Sequence, residues 1–220
     1  MLSARNLESI QSEGQRFVKA VRRDPDAPVP QYPGWSLSDL ASHTASIHGR
    51  SVLICEESPT ERVSAPRLPE GMSAIEWCER TLEKMIDAFR SADPTTAVWA
   101  LGPNQNIGFW ETRMVIETGV HRWDADQAHG DPDRLTDHVA LEGLDEFDDM
   151  WLPHLGDVQT YGVHAADLNR SWSFAGAGSG VSVSAPASDI YLALIGRTST
   201  VTLPEDWHLA VHSLAPPPKR

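Results

Sequence analysis

Arg113, Glu117 and His121, set four apart, hold the most concentrated chemistry in this sequence. They stand in the stretch Phe109 to Asp126, which has no proline, follows Gly108 and bears apolar residues on more than one face. It reads as a central, largely buried helix. Polar groups in such a helix need partners. Each residue turns a helix by about 100°, so Glu117 and His121 project from one face, a turn apart. A carboxylate and an imidazole so spaced can grip one metal ion or form a plain ion pair. A third ligand would favour the metal, and His43 is placed to be one. It lies three after Leu40 and four before Ile47, on the core-facing stripe of an earlier helix.

Two imidazoles and one carboxylate, with coordination positions left open, describe a catalytic zinc site rather than a structural one. The same set serves Fe(II) oxygenases, a weaker reading because here two ligands share a helix. A zincin protease needs His directly before Glu, and position 116 is Ile. Asp39 and Asp124 are candidate acceptors for the far ring nitrogens. His48 falls off the inward stripe and reads as surface.

The elements that must position these residues are mostly helices. Residues 3–23 carry Leu7, Ile10, Phe17, Val18 and Val21 on one stripe, and four prolines from Pro25 to Pro33 then enforce a loop. Ser36 with Asp39 opens the second helix, which runs to about Glu56, and Ser73 with Glu76 opens the third, closed by Asp93-Pro94. Residues 57–72 and 94–108 are irregular, with a short extended piece near Val98-Trp99. After the ligand helix a further helix is expected over 136–153. The pattern then changes. Ser171–Phe174 and Val181–Val183 alternate as strands do, Ser188 caps a helix from Asp189 to Ile195 stopped by Gly196, and Val201–Leu203 is one more strand candidate. The expected organisation is a helix bundle over 1–155 and a small α+β domain over 156–220, with Ala215–Arg220 fraying.

A formal charge of −13 argues against nucleic acid or an anionic membrane as partner. No apolar run is long enough to span a membrane and no signal-peptide core stands at the N-terminus, so a cytoplasmic protein is expected. Cys55 and Cys78 stand alone, in no zinc-ligand or redox spacing.

Pro33-Gly34-Trp35-Ser36-Leu37-Ser38-Asp39-Leu40-Ala41-Ser42-His43 and Glu117-Thr118-Gly119-Val120-His121-Arg122-Trp123-Asp124 resemble the mycothiol-dependent maleylpyruvate isomerase family, a branch of the DinB-like four-helix-bundle metalloenzymes. Leu141–Trp151 and Ala185–Arg197 resemble later segments of that family. The resemblance implies a DinB-like bundle followed by the small domain. It also implies a divalent metal, usually zinc, on His43, Glu117 and His121, and mycothiol as thiol co-substrate. The chain departs from the family in Ile116, where His is common, in Thr112-Arg113, where two arginines are common, and in its short C-terminal part.

Neither cysteine has a setting that would make it a nucleophile, so sulfur should come from outside. A zinc-stabilised thiolate could add to the double bond of a maleylpyruvate-like acid, allow rotation and leave, giving cis–trans isomerisation. It could instead attack a small electrophile and remain, giving S-transfer. Arg113 is a candidate catalytic residue, holding a substrate carboxylate, with an internal salt bridge to one of the many acidic residues as the alternative. Asn104, Asn106 and Trp110, with Trp99 and Phe109, are candidates to line the thiol or substrate pocket. A module that kept the bundle and lost the chemistry is the alternative.

Overall fold

The structure, a computed structural model, describes residues 2–130, 132–176, 182–197 and 200–212. By contacts the chain divides at Asp133/Arg134 into two compact units, each described by itself below. The helix following Thr136 thus groups with the second unit.

The first unit is a bundle of α1 (Leu2–Arg23), α2 (Leu37–Glu57), α3 (Ala74–Ser91) and α4 (Ile107–Ala128). α1 packs chiefly on α4 and α2 on α3, while α1–α3 and α2–α4 contacts close the ring. The expected caps form. Ser36 Oγ accepts from Asp39 N while the Asp39 carboxylate accepts from Ser36 N at 2.9 Å, and Ser73 Oγ accepts from Glu76 N. These satisfy amide groups that a helix start would otherwise leave bare. Phe17, Val21, Leu37, Leu40, Trp77 and Ala125 meet in a core that Tyr32 and Trp35 join from the proline-rich loop. Each large side chain so buried contributes roughly 1.5–3 kcal/mol. Gly34, at φ +81°, lets that loop turn into α2 where a side chain would be strained. The segment near Val98 forms no strand. It holds one bridge, Ala97 to Asn106, and Val98 N donates to Gln105 O at 3.1 Å.

In the second unit the helix expected over 136–153 is broken. α5 covers Asp137–Asp145, α6 covers Phe147–Met150, and a single 3-10 turn follows at Leu152–His154. Asp145, Asp148 and Asp149 repel one another at helical spacing, and Asp145 instead accepts from Arg170 and from Trp172 Nε1 at 2.7 Å. A three-stranded sheet has the order β2-β1-β3, with β1 (Tyr161–Ala165) antiparallel to β2 (Arg170–Phe174) and parallel to β3 (Val183–Ala185). β2 matches its expected place. β3 sits later than expected, Val181 lying outside the described residues. Ser188 does not cap the next helix. α7 spans Ala187–Leu194 with Pro186 at its N-cap, and Ser188 Oγ accepts from Leu135 N at 3.0 Å. Gly143 of α5 allows α7 to approach, since a Cβ there would stand 2.4 Å from the Tyr191 ring. Residues 201–203 form no strand but lead into α8 (Glu205–His212), whose Trp207 joins Phe147, Tyr161 and Phe174 in an aromatic core. The fraying expected of Ala215–Arg220 falls outside the described residues.

Among the described residues no helix is long and apolar enough to cross a membrane.

Candidate metal centre

α2 and α4 bring His43, Glu117 and His121 together inside the bundle. The His43 and His121 rings meet edge to face with centroids 5.3 Å apart. Glu117 Oε2 lies 3.3 Å from His121 Nε2. The other ring nitrogen of His121, Nδ1, faces Asp124 Oδ2 at 3.1 Å, and Asp124 is fully buried. A carboxylate can only accept, so Nδ1 carries a hydrogen, and Nε2, facing Glu117, is the ring atom at which an ion would take the place of a proton. Of the two expected second-layer carboxylates, Asp124 therefore touches its histidine, and Asp39 completes the α2 capping box.

Arg113 donates to Glu117 Oε1, one turn along α4. Burial pushes the Glu117 carboxyl up, but the Arg113 guanidinium, then His121 and His43, outweigh it and hold it well below the usual range. Burial likewise opposes protonation of His121, and Asp124 and Glu117 overcome it and raise its pKa. This is a donor set in which carboxylate and imidazole neutralise each other.

On chemistry these residues fit a divalent ion: two imidazoles and a carboxylate, buried, with one ring already oriented by an outer carboxylate. In arrangement they are gathered but turned toward one another and Arg113. Among the described residues no three His, Cys, Asp or Glu side chains stand in ligating array.

The remaining expected site residues lie at or just ahead of the start of α4. Asn106 Oδ1 accepts from Phe109 N at 2.9 Å as the N-cap of α4, a contact worth about 1 kcal/mol. Trp110 is fully buried and its Nε1 donates to Trp99 O at 2.8 Å, two helical turns before Glu117. Asn104 is exposed, on a loop pinned by Gln105 side-chain bonds to Ala100.

Sequence reasoning missed Tyr32 and Trp35. Trp35 stands against His43 at 5.3 Å between centroids and Tyr32 against His121 at 6.3 Å, so the loop before α2 walls the centre. The available signal was its position, directly ahead of the His43 helix and carrying two aromatics among prolines.

His48 was expected at the surface and is instead fully buried, with Nε2 3.1 Å from Thr118 Oγ1 of α4. The helix is enclosed on more than one side, so leaving the His43 stripe does not mean meeting solvent. Burial first, then the charge of His121, push the His48 pKa down to about 3, with Glu117 pulling the other way. Unfolded, it takes up a proton below about 6.5; folded, it does not until near 3, so stability falls as pH drops through that interval. His121, with a raised pKa, acts above 6.5, and Glu117, with a lowered one, below 4.5, so neither contributes between pH 6.5 and 5. Metal-free protein should lose about 2 kcal/mol over that window at 1.36 kcal/mol per unit, and His48→Gln correspondingly less. Equal losses in urea unfolding would exclude His48 as the source.

Comparison with known proteins bears on the same region. No curated protein matches the chain. Two solved structures share its fold at a TM-score of 0.70, each covering 90% of both chains, at 14% and 13% sequence identity. Both are crystal structures of the mycothiol-dependent maleylpyruvate isomerase, the first a histidine-to-alanine mutant. A family model described as the mycothiol maleylpyruvate isomerase N-terminal domain matches residues 7–126, from α1 to near the end of α4. With over half its length matched, and the bundle as the matched part, the chain belongs to the mycothiol maleylpyruvate isomerase N-terminal domain family.

Proposed function

We propose that this protein is a metal-dependent enzyme that takes the low-molecular-weight thiol mycothiol as co-substrate and isomerises a maleylpyruvate-like cis acid. The observation that carries the reading is the meeting of His43, Glu117 and His121 inside a bundle of this family, with Asp124 setting the His121 tautomer. His43, Glu117 and His121 would hold the ion, zinc by the nature of its donors. When bound, such an ion favours the thiolate form of a coordinated thiol at neutral pH.

The chain's own residues support this division of labour. Burial first, with nearby carboxylates, pushes both cysteine thiols up to about 12, so Cys55 and Cys78 stay protonated and unreactive. The nucleophilic sulfur must then be external. Its addition to the activated carbon–carbon double bond places the electron pair on the adjoining carbonyl. Rotation about the new single bond and return of that pair expel the thiolate and leave the trans acid. Tyr32 and Trp35 cover the histidines and limit access of bulk water. A reducing cytoplasm suits such a thiol.

S-transfer to a small electrophile is the second reading, and one observation favours it. Arg113, the expected holder of a substrate carboxylate, is engaged with Glu117. An electrophile without a carboxylate would not need it.

The test is turnover of maleylpyruvate, beside a panel of electrophiles, with and without mycothiol. Cys55→Ser with Cys78→Ala should keep full activity, and withdrawal of mycothiol should abolish it. Loss of turnover in the folded double variant would make this a cysteine enzyme. Metal binding with no thiol-dependent turnover of any substrate would leave a binding module.

A further inference from the structure

The second unit carries a pair of histidines that the reading above does not use. Glu205, His208 and His212 fall within an arc of about 60° on α8, because positions i, i+3 and i+7 line one helix face. Trp207 and Val211 on the other side are buried and anchor the helix, so its histidine face is held outward. The two rings, both exposed, lie with centroids 4.1 Å apart and planes at 38°. His212 Nδ1 is 2.9 Å from the backbone oxygen of His208. A carbonyl only accepts, so Nδ1 bears the hydrogen and Nε2 keeps its lone pair. This is the anchoring that metal-bound histidines characteristically have. Among the described residues the His208 ring makes no hydrogen bond that an ion would have to displace. The face opens on a cavity of about 550 Å³ that Arg197 and Glu205 also line, with opposite charges.

We propose that His208 and His212 form a two-imidazole site for a divalent transition ion of nitrogen preference, tightest for Cu²⁺ and weaker for Ni²⁺ and Zn²⁺. Water would complete the coordination. It shares no residue with the donors of the bundle. By joining two successive turns of α8, the ion stabilises that helix through binding to the folded state alone.

The experiment is titration of the full chain with Cu²⁺ in a non-coordinating buffer, followed by equilibrium dialysis and electron paramagnetic resonance. Wild type should bind one equivalent more than His212→Ala, and that equivalent should show nitrogen ligation. His208→Ala and His212→Ala should each weaken it by about 10–100-fold or more, since even outer-layer losses cost that much. Glu205→Gln should leave its nitrogen signature unchanged. Equal stoichiometry and affinity in wild type and both histidine variants would overturn the proposal, as would an extra equivalent bound through oxygen alone. Circular dichroism of the metal-free variants checks that α8 is retained, and His208→Gln with His212→Gln serves as a second pair if the alanines unfold it.

Discussion

His121→Ala should strip the bundle of its metal, lowering affinity by at least about 100-fold and taking thiol-dependent turnover with it. The magnitude follows from the geometry. Loss of an outer-layer partner typically costs about 10–100-fold, and His121 would be a direct donor that Asp124 has already oriented at 3.1 Å. Asp124→Asn tests that orientation. It removes the acceptor that fixes the hydrogen on Nδ1, and should cost about 10–100-fold in metal affinity. His129→Ala is the control, because its Nε2 reaches only the Ala20 backbone oxygen, at 2.9 Å. His48 is unsuited to that part, being buried against Thr118. Metal analysis of the purified proteins reads the result, with circular dichroism to confirm folding, since His121→Ala takes one hydrogen-bond partner from the buried Asp124. Equal metal content in wild type and His121→Ala would sink the assignment.

What could be read in advance follows from which interactions are local. The capping box of α2, the Ser73 cap of α3 and the four-apart spacing of Arg113, Glu117 and His121 depend on one helix each, and they stand as expected. His43 was placed by its interval from Leu40 and Ile47, again within one helix. The misreadings involve contacts far apart in sequence. Tyr32 and Trp35 reach the histidines only because their loop folds back over the bundle. His48 is buried because α4 covers a second face of α2. Strand β1 escaped notice because Gly162, His164 and Ala165 carry little strand preference. Its register is set by β2 and β3 on either side. Asn106, a pocket candidate by its type, also caps α4 through a bond only three residues long.

Arg122→Ala should destabilise the protein by about 3 kcal/mol or more, a large share of the roughly 5–15 kcal/mol by which such a fold is stable. The Arg122 side chain is wholly enclosed. Its Nε donates to Glu13 Oε2 of α1 at 2.6 Å, and one terminal nitrogen donates to Asp126 Oδ2 at 3.1 Å and to the Asp133 backbone oxygen at 2.8 Å. Glu13 is equally enclosed, so deleting the arginine strands a buried carboxylate with only Arg16, 4.0 Å away, to answer it. Breaking such a pair costs about 3–5 kcal/mol, whereas replacing both partners with apolar side chains of similar volume is often neutral. Glu13→Leu with Arg122→Met should therefore recover most of the loss, a coupling that a double-mutant cycle in urea would measure directly. The pair also bears on the centre. Arg122 pointing to α1 fixes the rotation of α4, and His121, one residue and about 100° back, is thereby turned toward α2 and His43. The apolar double variant should hence fold yet bind metal less tightly than wild type, because the polar link from α4 to α1 that helps fix that rotation is gone. If Arg122→Ala unfolds at the same urea concentration as wild type, the network contributes nothing and α4 is held by its other contacts.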